Sequence, residues 1–94
     1  MNRIDFEYRY EHDQAFRDRV DSRYDEYTIE LILSLIERRQ ALKMTTQDLA
    51  YLSDISISTM INIENFKQFP TFHTLNKLAK NLGVKIKIQV EAIE

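Results

Sequence analysis

Residues 45–65, TTQDLAYLSDISISTMINIEN, decide the fold. The stretch reads as two short helices joined by a tight turn. Thr45 is a good N-cap, and Asp48 three residues on answers it as the acidic half of a capping box. Met44 before the cap and Leu49 after it stand where a hydrophobic staple needs them. Leu49, Ala50 and Leu52 form the apolar stripe of the first helix, and Ala50 is small enough to let a second helix cross close by. Ser53, Asp54 and Ile55 make the turn. Ser56 caps the second helix, with Ile55 and Met60 as its staple. Met60 and Ile63, three apart, face inward, which leaves Ile57, Ser58, Ile61 and Asn62 toward solvent.

Past this stretch, Phe66, Lys67, Gln68 and Phe69 form a loop closed by Pro70. Thr71 caps a further helix with Phe72, Leu75, Leu78, Ala79 and Leu82 inward. Lys77 and Lys80 lie toward its C-terminal end, where cations are favoured, and Gly83 supplies the left-handed terminator. Residues 84–91 then alternate, Val84, Ile86, Ile88 and Val90 against Lys85, Lys87, Gln89 and Glu91, which predicts a strand. Its backbone needs a partner: the N-terminal segment, the same strand of a second copy, or an edge strand of another protein.

Before the central stretch, residues 3–10 also alternate, with Ile4, Phe6, Tyr8 and Tyr10 on one face and Arg3, Asp5, Glu7 and Arg9 on the other. This predicts a strand, with a frayed terminus as the competing reading. Asp13 caps a short helix carrying Phe16, Val20 and Tyr24. Asp25 caps a second over residues 26–43. A continuous rod over residues 13–43 would run roughly 45 Å, too long for so small a domain to cover, so a bend is expected at residues 22–25. The second helix carries Ile29, Leu31, Ile32, Leu33, Leu35 and Ile36 over more than one face. A monomer's surface helix needs one stripe; the excess predicts burial against another chain or against the N-terminal segment.

Ninety-four residues make one domain, 44% hydrophobic and 30% charged, with one Gly and one Pro. The absence of cysteine excludes disulfides and thiolate metal sites. No apolar run reaches the roughly 20 residues of a membrane span, and MNRIDFEYRY is no signal peptide, so a cytoplasmic protein is expected. Charge divides unevenly: residues 1–30 hold nine acids and five bases, while residues 31–94 hold eight bases and six acids. An acidic N-terminal third precedes a mildly basic remainder, a weak nucleic-acid footprint. Catalysis is poorly supported, since His12 and His73 lie far apart and the carboxylates show no metal-ligand spacing. Neither an enzyme, nor a cofactor, nor a metal site is expected.

The order of cap, Leu-Ala, turn and Ile-Ser-x-Ser-Thr-Met-x-x-Ile-Glu-Asn resembles the helix-turn-helix of the phage-repressor-like (Xre-type) regulators. The likeness covers residues 32–83 and continues through TFHTLNKLAKNLG. It implies a mainly α, five-helix lambda-repressor-like domain, to which the alternating segments add short N- and C-terminal β-strands. Residues 1–24 then form an acidic partner-binding arm, 25–83 the DNA-binding domain and 84–94 the terminal strand. In such proteins the second helix of the motif enters the major groove. The resemblance therefore implies base-reading positions at Ile57, Ser58 and Asn62, with Ile61 beside them. It implies phosphate contacts from Thr46, Ser56 and Asn65, with charge from Lys67 and Lys43. It also implies a structural ion pair between Arg39 and Glu64. Three positions depart from the family pattern: Asp54 and Phe66 stand where glycine is usual, and Thr46 where glutamine is.

In layout the chain is most similar to HigA-type antitoxins. That resemblance implies a dimer that binds operator DNA, represses its own operon and neutralises a small basic RelE-like ribonuclease toxin. The alternative is a stand-alone, phage-type regulator or a protein-interaction module without a toxin.

Overall fold

Every helix among the described residues starts at a residue whose side chain accepts a hydrogen bond from the backbone amide three positions on. A computed structural model describes residues 1–93. It holds α1 (Arg3–His12), α2 (Gln14–Arg23), α3 (Glu26–Ala41), α4 (Thr46–Leu52), α5 (Ile57–Glu64) and α6 (Phe72–Leu82). Their N-caps are Asn2, Asp13, Asp25, Thr45, Ser56 and Thr71. Each satisfies one of the amides that a first turn leaves unpaired. Asp25 and Thr45 close full capping boxes, with Thr28 and Asp48 answering them.

Four of the six exits follow one pattern, while α1 and α2 end in extended residues, Asp13 and Tyr24. After α3, α4, α5 and α6, a residue at positive φ ends the helix: Lys43 at 58°, Asp54 at 54°, Phe66 at 59° and Gly83 at 65°. At each exit two backbone bonds close the same Schellman pair, for example Met44 N–H to Arg39 C=O at 3.1 Å and Lys43 N–H to Gln40 C=O at 2.9 Å. Only one of the four is glycine. At the other three, side chains accept the left-handed conformation that L-residues disfavour.

The layers form around α3. Ile32, Leu33, Leu35 and Ile36 are buried, and Ile29 and Leu31 pack partly against the same core. Leu49, Met60, Ile63, Leu75, Leu78 and Leu82 meet them from α4, α5 and α6. The N-terminal helices cover the rest: Phe6, Phe16, Val20 and Tyr24 are buried in one aromatic cluster with Phe66. Ring centroids lie 4.8 Å apart for Phe6–Phe66 and 5.3 Å for Tyr24–Phe66. Arg3 also clips α1 to α3 through Glu30 and Glu37, at 2.7 Å each. The apolar surface of α3 is therefore met largely within the chain, chiefly by α5 and α6.

Several expectations are corrected. The helices number six, and no strand occurs among the described residues. Residues 3–10 are helical because Asn2 accepts from the Asp5 amide and Phe6 lies one turn from Tyr10, with the two rings stacked at 6.0 Å. In a strand Ile4 and Tyr8 would share that face; in the helix they are 75% and 65% exposed. With no strand to pair with, the segment satisfies its backbone internally instead. Residues 84–93 adopt no regular structure, and Glu94 lies outside the described residues. Val84 and Ile86 rest against the core, while Val90 is fully out in solvent. Phe72, expected inward, is 68% exposed, since the first turn of α6 projects beyond the core. The second helix of the lead-in stops at Ala41, short of residue 43.

Candidate nucleic-acid interface

Helices α4 and α5 pack against each other, joined by the residues 53–56 turn, with α5 seated on α3 and α4 on α6. On α5, Met60, Ile63 and Glu64 are buried, and Phe66 just beyond is wholly so. The opposite face presents Ile57 at 42% exposure, Ile61 at 46%, the exposed Ser58 and the half-buried Asn62. All four candidate base-reading residues therefore lie on one outward stripe of a single helix, which carries no charged residue except the inward Glu64.

The frame that aims this stripe is polar and buried. Arg39 of α3 donates from Nε to Glu64 Oε2 at 2.8 Å and from Nη2 to Oε1 at 2.9 Å. Its Nη1 donates to the Met44 carbonyl at 2.8 Å. The bidentate fork fixes the angle of α5 against α3, since both carboxylate oxygens are engaged in one plane. The α-amino group of Met1 lies 4.0 Å from the same carboxylate.

The phosphate candidates divide by whether their hydrogens are free. Thr46 Oγ1 donates inward to Glu64 Oε1 at 3.1 Å, so this hydroxyl serves the buried pair. Ser56 Oγ donates to Thr59 Oγ1 at 2.8 Å while capping the Thr59 amide. Asn65 Nδ2 donates to the Ile61 carbonyl at 2.8 Å. Lys43 and Lys67 are exposed, one before α4 and one after α5. The only cations among the candidate phosphate residues are these two lysines, and Asp48 and Asp54 of the same segment are exposed as well.

Sequence reasoning missed the residues that hold the exits of these helices. Arg19 of α2 donates to the Phe66 carbonyl at 3.2 Å and the Asn65 carbonyl at 3.4 Å, placing a cation at the C-terminal end of α5. Asn81 of α6 donates to Ser53 Oγ at 3.1 Å and to the Leu52 carbonyl at 3.2 Å, bracing the end of α4. Arg38 does the same for α6, donating to the Leu82 carbonyl at 2.9 Å. The partners are 28 to 47 residues apart, and no local spacing announces them.

The carboxylate caps are held ionised. Bonds from the Phe16, Thr28 and Thr45 amides keep Asp13, Asp25 and Asp48 below the ordinary aspartate range. The Arg3 guanidinium does the same for Glu30. Among the described residues no cluster of three His, Asp or Glu side chains is placed to hold a metal ion, and no helix is long and apolar enough to cross a membrane. No family model, curated protein or solved structure matches the chain.

Proposed function

We propose that the chain is a sequence-specific repressor that binds double-stranded operator DNA as a homodimer, and that it is the antitoxin of a pair whose other member is a small basic RelE-like ribonuclease. One observation carries the DNA reading: the outward stripe of α5 collects Ile57, Ser58, Ile61 and Asn62 on a helix anchored by the buried Arg39–Glu64 fork. A helix so mounted is suited to the major groove, with its N-terminal residues nearest the base edges. A dimer would set two such helices about 34 Å apart, one turn of DNA.

The toxin part rests on charge and layout. Glu7, Glu11, Asp18 and Asp21 are exposed on α1 and α2, carboxylates that suit a cationic RNA-cutting partner. Because Phe6, Phe16 and Val20 belong to the core, removing this segment would expose the fold's interior; charge reversal tests the partner without doing so. The double change Glu7→Lys and Glu11→Lys should weaken neutralisation in a co-expression rescue while leaving DNA binding intact. Full rescue by that variant would dismiss the acidic surface as the toxin site.

A second reading, a protein-interaction module, draws on the exposed Ile57 and Ile61 together with Tyr51 and Leu52 on α4. Titration against DNA from the chain's own promoter at two salt concentrations separates the two. Saturable binding that weakens with salt supports the repressor; nonspecific affinity alone supports the module.

A further inference from the structure

We infer that the reading helix selects A·T base pairs by packing Ile57 and Ile61 on thymine methyl groups, with Asn62 engaging an adenine between or beside them. The inference rests on the DNA-binding reading and names the base composition that reading leaves open.

Three features carry it. First, the outward stripe of α5 holds no Arg, Lys or Gln, so no side chain there offers the two-pronged donor that recognises guanine O6 and N7. Second, Asn62 is half-buried on that stripe, whereas the neighbouring Asn65 commits one of its two amide hydrogens to the Ile61 carbonyl. A free carboxamide offers one donor and one acceptor side, the match for adenine N6 and N7. Third, Ile57 and Ile61 are each over two-fifths exposed and four residues apart, about 6 Å along the axis, or roughly two base steps. In the major groove the one apolar base feature is the thymine C5-methyl. Pressed instead against cytosine N4 or guanine O6, an isoleucine would strip a polar edge of water without replacing its hydrogen bond. The same two side chains therefore attract thymine and repel G·C pairs. Lys43 and Lys67, exposed before and after the helix pair, supply positive charge that suits a phosphate backbone.

The test is a selection from duplexes with a randomised central segment, followed by remaking the enriched duplex with deoxyuridine in place of thymine. Deoxyuridine removes only the methyl group and keeps every base-pairing edge. Enrichment of A·T pairs, with a loss of about fourfold in affinity for each contacted methyl removed, is the expected result. In Ile61→Ala, whose exposed side chain the fold does not need, that sensitivity should shrink at one position. Enrichment of G·C pairs, or salt-sensitive binding indifferent to deoxyuridine, would overturn this inference while leaving DNA binding standing. Absence of saturable binding to any duplex would remove the DNA reading and this inference with it.

Discussion

Phe66 concentrates the logic of the molecule in one residue. It stands at φ 59°, where glycine would be free of strain, yet it is fully buried among Phe6, Phe16 and Tyr24. A non-glycine residue there costs about 1–2 kcal/mol, and burial of a whole aromatic ring outweighs it. Phe66→Ala should lower stability by about 3–5 kcal/mol in urea unfolding, more than the strain it leaves in place. Lys43 and Asp54 share the conformation and its Schellman bonds but are exposed, so no side-chain burial offsets their strain. Asp54→Gly should raise stability by roughly 0.5–1 kcal/mol and, by removing an anion from the reading surface, also strengthen DNA binding. A drop in melting temperature for Asp54→Gly would contradict this account. On the proposed repressor reading, Asn62→Ala should relax the operator at one position by about 1–3 kcal/mol, whereas Lys67→Ala should weaken all sequences alike and reduce the salt slope.

Among the elements, α5 depends most on its neighbours. It has eight residues, too few to persist alone, and its direction is set by Arg39 on one side and Arg19 at its end. Glu64→Ala strands a buried guanidinium and should cost about 3–5 kcal/mol, while replacing Arg39 and Glu64 together by Leu and Met should cost much less. If both variants unfold at the same urea concentration, the pair is not the constraint assigned to it. Arg3→Ala, which breaks a surface clip to Glu30 and Glu37, should cost under about 1 kcal/mol in the same assay.

For the whole molecule, caps link stability to pH. Asp13, Asp25 and Asp48 have pKa values lowered by the amide bonds they accept, so the folded state favours their ionised forms. Their contribution is complete above the unfolded aspartate value near 4 and is lost as pH falls through the lower folded values. Melting temperature should therefore hold between about pH 7 and 5 and decline below about pH 4. Changing Asp13 and Asp25 to Asn, which caps without titrating, and Asp48 to Asn, whose amide oxygen can still accept from the Thr45 amide, should flatten that decline; an unchanged acid profile would move the cause elsewhere.

Much of the helical frame was legible from residues 13–83 because its signals are local. Caps, staples and the four-residue spacing of Phe16, Val20 and Tyr24 act within a turn or two, and the outward stripe of α5 follows from which residues Met60 and Ile63 turn inward. Residues 3–10 misled because alternation at period two also fits a helix that buries only Phe6 and half-buries Tyr10, and only the rest of the fold shows what those rings meet. The strand expected at residues 84–91 failed for a related reason: a ladder needs a second strand, and the chain offers none among its described residues. Sequence alone determined where most helices begin, since a capping side chain reaches only its own first turn. Tertiary structure alone decided that the acidic lead-in belongs to the core, that Arg19 and Asn81 brace the helix ends, and that Phe66 can occupy a glycine's conformation. Each of those rests on groups 28 or more residues apart, whose meeting depends on the whole fold.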